Sequence, residues 1–457
     1  MIREVKIQNY KSIESLDLEL GRVNILIGEN GCGKTNILEA IALASAAYSD
    51  KLDNEFLVSR GIRVTEPQLM RSAFDKENIA KNIRVEIFLS DADSLALTLK
   101  NDNQTYSKWR QFNFNKVKDY SQDILGSLID EMEEYRQEMS NNYRRDIEYL
   151  EIQKKEKQKQ LRLHSNNFQK DSKECRRLEE QIKTIEKSIK MAENNITQVQ
   201  QKTSEQILNL KEQKNKQLNS LNKTYQREIE TFNKLSFFSY FLVFCPNNSS
   251  LRVFEEEGYI QPLGIHGEGL FRFLRFLDMQ KDKTRFNEIR ERLRLISWFK
   301  DFKIPQDLFG TERKIHITDK YLDPDLKYFD QRSSNEGFLF TLFYLALFVG
   351  EETSKFFAID NIDNALNPRL CRRLLQEFIE LAKKYDKQTI LTTHNPAVLD
   401  GLDLDDDEQR LFVVYRNKFG YTKVRRVSKP EAIAGQKPVR LSEAFLRGYI
   451  GGLPKNF

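Results

Sequence analysis

The stretch VNILIGENGCGKTNILEAI, residues 23–41, decides the fold class of this chain. It opens with five residues typical of a buried strand and ends with the apolar spacing of a helix. Between these two parts, GENGCGKT fits the pattern G-x-x-x-x-G-K-[ST] at every fixed position. The sequence therefore predicts a phosphate-binding loop between a strand and a helix.

This loop carries a specific chemistry. Glycines let its backbone approach an anion, and amides at the start of the following helix cradle phosphate oxygens. Lys34 neutralises the β- and γ-phosphates, and the hydroxyl of Thr35 can ligate Mg²⁺. The expected ligands are ATP and Mg²⁺, and the expected nucleotide-binding residues are Gly28, Asn30, Gly31, Gly33, Lys34, Thr35 and Asn36.

Two later strands end in residues that suit the same site. In FFAID, residues 356–360, four apolar or aromatic residues precede Asp360, whose carboxylate we expect to meet the magnesium through its water shell. The run TILTT ends at His394, where a neutral imidazole can hydrogen-bond the γ-phosphate. A structural role is the alternative for this histidine, and the short spacing from Asp360 favours the functional one.

The region between these motifs has a different composition. Residues 120–233 contain no proline, are rich in Lys, Glu, Gln and Asn, and carry apolar residues at spacings of three and four. We predict an antiparallel coiled-coil hairpin that reverses within 164–174; a solvated stalk without a binding role is equally compatible with its mixed charges. The predicted domains are an N-terminal lobe 1–118, the hairpin 119–233 and a C-terminal lobe 234–457. The fold class is α/β, a mixed sheet with its phosphate loop, split by the hairpin.

The composition of the chain restricts its size class, its partners and its cellular compartment. The 457 residues exceed one ordinary core, and a formal charge of +5 argues only weakly for a nucleic-acid partner. Four scattered cysteines and an N-terminus without a leader-like pattern predict a reduced, cytoplasmic protein. The longest apolar run, residues 235–245, is too short to cross a membrane and is interpreted as a buried strand.

Taken together, these motifs resemble the ABC-type ATPases of the SMC, Rad50, RecF and OLD group. The resemblance rests on the entry IQNYKSIESLDLELGRVNILIGENGCGKTNILEAI, on NALN at 364–367 and on TTHNP around His394. It implies a head-to-head homo-oligomer in which the signature loop of one head completes the site of another. The candidate loop is RSSNEGFLF, residues 332–340, with Ser334, Asn335 and Gly337 as its phosphate-contacting residues, although it departs from the usual Leu-Ser-Gly-Gly pattern.

The same resemblance raises a question about catalysis. In that group a glutamate follows the strand aspartate and polarises the attacking water, but Asn361 stands at this position. An amide cannot accept the proton, and loss of a positioned base typically costs about 10² to 10⁴ in rate. The catalytic set is therefore Asp360, Asn361, Asp363 and His394, with slow hydrolysis expected and Asp363 either replacing the base or remaining a solvated acid.

Two other segments suggest a narrower resemblance. GIRVTEPQLMRSAF at 61–74 and LSEAFLRGYIGGLP at 441–454 are similar to the ATPases of bacterial anti-phage systems, AriA of PARIS and PtuA of Septu. This implies a homo-oligomeric scaffold that holds a nuclease, Toprim in the first case and HNH in the second. It also implies a response to a phage-encoded trigger, which in PARIS is an anti-restriction protein that mimics DNA. Nucleic acid is then allowed as a ligand but not required.

Two rival functions depend on charged segments. A nuclease of the OLD type needs a metal-binding acidic cluster, and DGLDLDDDEQ at 400–409 is interpreted instead as a solvated loop. A RecF-like or Rad50-like repair clamp needs basic surfaces. RFNEIRERLRLISWFK at 285–300 and YTKVRRVSK at 421–429 are the candidates.

Overall fold

The computed structural model describes residues 1–90, 93–104, 107–111, 115–167, 173–254, 258–305, 314–323, 325–429 and 439–453. The chain forms two compact units, the first built from Met1–Phe112 and Glu230–Phe457 and the second from Asn113–Ile229. The domain boundaries expected from sequence lie a few residues further along the chain at both junctions.

Strands and helices alternate through most of the first unit. The strands are β1 (Ile2–Tyr10), β2 (Ile13–Glu19), β3 (Val23–Ile27), β4 (Ile83–Leu89), β5 (Ser94–Lys100), β6 (Arg110–Gln111), β7 (Val243–Phe244), β8 (Phe299–Lys303), β9 (His316–Asp319), β10 (Phe356–Ile359), β11 (Gln388–Thr393), β12 (Gln409–Arg416) and β13 (Thr422–Val427). The helices of both units are α1 (Lys34–Tyr48), α2 (Asn54–Ser59), α3 (Pro67–Met70), α4 (Asn115–Asn167), α5 (Lys173–Lys234), α6 (Leu270–Met279), α7 (Thr284–Arg292), α8 (Glu336–Val349), α9 (Pro368–Lys384) and α10 (Leu441–Leu446).

A six-stranded sheet forms the centre of the first unit. Its order is β13-β12-β3-β11-β10-β7, with every neighbouring pair parallel except β12 and β13. Every residue of β3, β10 and β11 is buried, as expected of parallel strands covered on both faces. Leu26 packs into the core that contains α1, whereas Ile25 packs into the core that contains α8 and α9.

The second sheet of this unit is antiparallel, with the order β2-β1-β4-β5-β6. Its buried residues share one core with α1, so the helix that follows the phosphate loop lies between apolar faces. The α/β fold class expected from sequence, with a mixed sheet and an inserted helical pair, is therefore confirmed.

One strand prediction is largely wrong. Residues 235–245 were expected to form a continuous buried strand, but Ser236–Tyr240 form a 3₁₀ turn and only Val243–Phe244 join the sheet. The carbonyl oxygen of Phe238 accepts a hydrogen bond from Ser45 Oγ of α1 at 2.6 Å, and its ring lies 6.1 Å from that of Tyr48. The aromatic side chains are thus buried against a helix, which the local β-propensity does not reveal.

The second unit is a pair of antiparallel helices, the long α4 and α5. Lys154 pairs with Glu186 at 2.7 Å, and Glu133 pairs with Lys211 at 3.1 Å. The residue numbers rise along α4 as those of the partners fall along α5, which is the pattern of an antiparallel pair. The reversal predicted within 164–174 falls mostly on 168–172, which lie outside the described residues. The antiparallel pairing itself agrees with the heptad pattern.

Candidate functional site

The predicted site residues follow three adjacent strands of the central sheet. β3 pairs with β11, and β11 with β10, all in parallel. Gly28, His394 and Asp360, which follow these strands, therefore leave the sheet at the same edge. Ligand sites of open parallel sheets lie at this edge. Two parts of the chain that the helical pair separates in sequence meet here.

The glycines of the phosphate loop are required for different structural reasons. Gly31 and Gly33 have φ angles of 74° and 109°, in the region that favours glycine. A Cβ on Gly28 would lie 2.1 Å from the carbonyl oxygen of Val414 in β12, and one on Gly33 would lie 2.1 Å from Thr422 Oγ1 in β13. The loop thus packs tightly against the C-terminal hairpin β12–β13, a contact that sequence reasoning missed.

Thr422 connects this hairpin to the loop by hydrogen bonds. Its hydroxyl donates to the carbonyl oxygen of Cys32 at 2.8 Å and lies 2.7 Å from Ser12 Oγ. Because each hydroxyl has one proton, Ser12 donates to Thr422, and Ser12 Oγ in turn accepts from Asn36 Nδ2 at 2.7 Å. Arg416 Nε donates to the Gly31 carbonyl at 2.8 Å. The conformation of the loop is therefore held from outside the motif.

Lys34 lies folded along its own loop. Its ammonium donates to the carbonyl oxygens of Gly28 at 2.9 Å and Glu29 at 3.1 Å, and only 6% of the residue is exposed. Burial lowers the pKa of Lys34, and the nearby carboxylates of Asp360 and Asp363 oppose that shift. A phosphate group arriving here would restore a charge partner to this ammonium. Asn30 and Gly31 are exposed at the tip of the loop.

Asp360 joins the phosphate loop to the central sheet. Its Oδ2 accepts from Thr35 Oγ1 at 2.9 Å, and its Oδ1 accepts from Thr392 Oγ1 at 2.5 Å. A threonine hydroxyl and a carboxylate at this distance are hard oxygen donors of the kind that Mg²⁺ prefers, with water and phosphate supplying its other ligands. The residues present thus fit the implied cation, with Thr35 and Asp360 as its protein ligands.

Asn361 adopts a left-handed backbone conformation. Its φ is 57°, and its amide N–H donates to Thr392 Oγ1 at 2.8 Å. Asparagine enters this region more easily than glutamate, since a short polar side chain can bond locally. The amide at this position therefore also suits the turn.

Asp363 is directed back toward the end of β11. Its Oδ1 accepts from Thr393 Oγ1 at 2.7 Å and from the His394 amide at 3.3 Å. The half-buried carboxylate is therefore held beside the predicted γ-phosphate contact, with Oδ2 still available as a proton acceptor. This orientation is the one that the substitute-base hypothesis requires.

His394 itself has an exposed side chain at the edge of the site. Partial burial of the ring and the neighbouring Lys34 lower the pKa of His394, while Asp363 and Asp360 oppose the shift. The lowered pKa favours the neutral imidazole, whose N–H can still donate a hydrogen bond to a phosphate group.

The predicted signature residues lie at the start of α8. Asn335 caps this helix through its Oδ1, which accepts from the Phe338 amide at 2.8 Å, and its exposed side chain retains a free NH₂ group. A Cβ on Gly337 would lie 3.0 Å from the carbonyl oxygen of Ala365, in the predicted NALN loop. Ser334, however, is 3% exposed and its hydroxyl has no hydrogen-bond partner among the described residues, so a ligand reaches it only if this loop moves.

A buried carboxylate behind the phosphate loop was also missed. Glu39 of α1 is fully buried and accepts hydrogen bonds from Lys11 Nζ at 2.5 Å and Arg63 Nε at 2.6 Å. Arg63 also donates through Nη2 to Asn36 Oδ1 at 3.1 Å. The sequence did contain a signal for this site, since Glu39 is the one charged residue in the apolar stretch NILEAIALA. A carboxylate buried in such a helix requires cationic or hydrogen-bonding partners.

Several members of the charged segments considered for nucleic acid or metal form ion pairs within the chain. Within 285–300, Arg285 lies 2.7 Å from Glu351 and Arg294 lies 2.7 Å from Glu291. In the acidic segment 400–409, Asp406 lies 2.7 Å from Lys383 and Asp407 lies 2.8 Å from Arg426, which belongs to the second basic segment. The part of the chain that the structure describes contains no cluster of three or more His, Cys, Asp or Glu suited to a metal ion.

The fold and the site define the class of the protein, a P-loop ATPase head with an inserted helical pair. A model of the AAA ATPase domain matches residues 1–399, and the chain belongs to that family. The match stops before the C-terminal hairpin that packs on the phosphate loop. In the helices that the structure describes, we find none with the length and apolar character needed to cross a membrane.

Relatives match only parts of the chain. An uncharacterized protein of Methanocaldococcus jannaschii, MJECL10, is 34% identical over 113 residues, which is 23% of this chain and 50% of the relative. The DNA replication and repair protein RecF of Bacillus thuringiensis is 42% identical over 55 residues, 12% of this chain and 15% of RecF. The chain thus spans half of the first relative and a much smaller share of the second.

Solved SMC heads are also similar at low identity. The SMC head domain of Thermotoga maritima has 12% identity and a TM-score of 0.40, covering 93% of this chain and 99% of that one. A Pyrococcus furiosus Smc head bound to the C-terminal domain of ScpA has 14% identity and a TM-score of 0.42, covering 93% and 96%.

Proposed function

We propose that this chain binds ATP with Mg²⁺ at the phosphate loop and hydrolyses it slowly, so that nucleotide mainly holds an assembled state. The contact between Thr35 and Asp360 carries this proposal. It joins a residue of the phosphate loop, which precedes the inserted helices in sequence, to a strand-end carboxylate, which follows them. A second feature supports slow turnover: Asn361 has no carboxylate to offer an attacking water.

The roles of the residues follow from their positions. Loop amides and Lys34 bind the phosphates, whereas Thr35 and Asp360 hold the cation, which neutralises charge that develops on the phosphate oxygens. Asp363 Oδ2 accepts the proton of the attacking water. His394, whose backbone amide contacts Asp363, donates a hydrogen bond to the γ-phosphate.

Self-association completes the site in this proposal. The exposed NH₂ group of Asn335 and the free amides at the start of α8 form a donor surface, which would meet the γ-phosphate held by a second copy. Nucleotide bound between two heads then stabilises the dimer by mass action.

For the cellular role we propose an anti-phage scaffold similar to AriA, which holds a Toprim nuclease and releases it when a phage anti-restriction protein appears. The sequence resemblance at 61–74 and 441–454 supports this role. The pairing of basic residues in 285–300 and 421–429 with acids of the same chain favours a protein partner over a DNA clamp.

The nucleotide proposal is tested by fluorescence titration with mant-ATP in the presence and absence of Mg²⁺. Lys34→Ala should abolish binding, because the only lysine in the loop supplies its charge, while Lys51→Ala, outside the loop, should bind like the wild type. Normal affinity of the Lys34 variant would refute the assignment of the loop.

The cellular role is tested by purification from the native host with identification of the bound chain. A stoichiometric Toprim protein supports the proposal, and an HNH protein supports the Septu-like alternative. Binding of DNA by the chain alone, with affinity that falls steeply with salt, would favour a RecF-like or Rad50-like repair function instead.

A further inference from the structure

Arg252 connects two loops that come from distant parts of the sequence. Its Nε donates to Asn248 Oδ1 at 2.8 Å, in the loop that follows β7. Its Nη1 donates to the carbonyl oxygens of Gln331 and Arg332 at 2.8 and 2.7 Å, and its Nη2 donates to that of Ser334 at 2.9 Å. One guanidinium thus makes four hydrogen bonds, three of them to the loop before α8.

The first of these loops begins at the nucleotide edge of the sheet. The amide of Asp360 donates to the carbonyl oxygen of Phe244, the last residue of β7, at 2.8 Å. The loop is fixed a few residues later, where fully buried Leu251 precedes Arg252. The segment that joins the edge next to Asp360 to Arg252 is therefore short and anchored at both ends.

The second loop leads into the cap of α8. The carbonyl oxygens of residues 331, 332 and 334 converge on one cation, so removing it leaves several acceptors unsatisfied in a partly buried position. A lysine has a compact charge without the planar fork, and it cannot reproduce all four bonds. The position of Asn335 consequently depends on this particular side chain.

Ser334 provides an independent observation on the same loop. Its hydroxyl is buried and has no partner within the described part of the chain, although buried polar groups are normally hydrogen-bonded. A loop position that gave this hydroxyl a partner would gain that bond, and the Arg252 bonds hold the loop in its present position.

We propose that Arg252 is a positioning residue that couples nucleotide at the phosphate loop to the position of residues 334–337. The inference rests on the proposed function in that nucleotide must bind at this loop. It goes beyond that function in assigning the communication between the two segments to one side chain within a single head.

Trp298 offers a direct readout. Its ring lies 5.4 Å from that of Phe338, and it lines a groove of about 650 Å³ together with Asn335 and Gly337. The chain has two tryptophans, so Trp109→Phe leaves Trp298 as the sole reporter. In this parent variant, a non-hydrolysable ATP analogue with Mg²⁺ should change the Trp298 emission with the same half-saturation as mant-ATP binding.

Arg252→Lys in this background should bind mant-ATP with unchanged affinity, while most of the amplitude of the Trp298 response is lost. Asn248→Ala, which removes one end of the link and keeps the arginine, should give an intermediate amplitude. Arg292→Lys is the matched control. Arg292 also has several partners, the carboxylates of Glu288, Glu377 and Glu380, and its variant should retain the full response.

Three results would overturn the inference. Arg252→Lys and Asn248→Ala could keep the full amplitude, or the parent could bind mant-ATP without any Trp298 response. Alternatively, affinity and amplitude could fall together in the Arg252 variant, which would show a general structural role. If the parent binds no nucleotide at all, the proposed function fails, and that result is recognised from the mant-ATP titration alone.

Discussion

Replacing Asn361 by glutamate tests why this ATPase should be slow. A positioned carboxylate is typically worth about 10² to 10⁴ in rate, so Asn361→Glu could raise turnover over that range. The backbone works against part of this gain, since φ at 361 is 57° and a longer side chain in the left-handed region costs about 1–2 kcal/mol.

If all of that cost acted against the productive geometry, it would reduce the gain by about 5- to 30-fold, because each 1.36 kcal/mol is one decade in rate. The lower limit of the expected gain is then about threefold. Steady-state phosphate release at saturating MgATP measures it.

Asn361→Gln is the matched control, with the length and backbone cost of glutamate but no carboxylate. Both variants should lose similar thermal stability, and only the glutamate should hydrolyse ATP faster. Equal turnover of the two variants would refute the argument that the missing base limits this site.

Three other predictions follow from contacts in the site and in the helical pair. Asp363→Asn should lower the residual turnover further with unchanged mant-ATP affinity, because the amide cannot accept a proton; unchanged turnover would show that Asp363 is not the substitute base. Thr422→Val should lower the melting temperature and weaken ATP binding, since a buried hydroxyl with two partners typically contributes about 1 kcal/mol per bond, and an unaffected affinity would show that the hairpin does not shape the loop. Cysteines at Lys154 and Glu186 should crosslink with a short bismaleimide, whereas cysteines at Lys154 and Lys211 should not, and the reverse pattern would contradict the antiparallel register.

Local signals were sufficient for the parts of the site that lie on one continuous motif. The spacing of Gly28, Gly33 and Lys34 between a strand and a helix predicted the loop, and the apolar run before Asp360 predicted a strand that ends at the same edge. Both patterns depend on neighbouring residues only, which is why sequence reveals them.

Contacts between distant residues could not be predicted in this way. Thr422 meets Cys32 across 390 positions, and the strand TKVRRV lacks the apolar alternation that would have marked it. The four bonds of Arg252 go mostly to backbone oxygens, which carry no residue-specific signal. At Ser236–Tyr240 the apolar residues were correctly predicted to be buried, but the predicted strand was wrong. These residues form a 3₁₀ turn that packs against a helix.

The bond from Thr422 to the Cys32 carbonyl also has a consequence for biosynthesis. A ribosome delivers the phosphate loop early, but the hairpin that supports Gly28 and Gly33 emerges only after the helical pair and most of the second lobe. The phosphate loop of a nascent chain therefore lacks its supporting contacts, and binds nucleotide less tightly, until β12 and β13 have been synthesised.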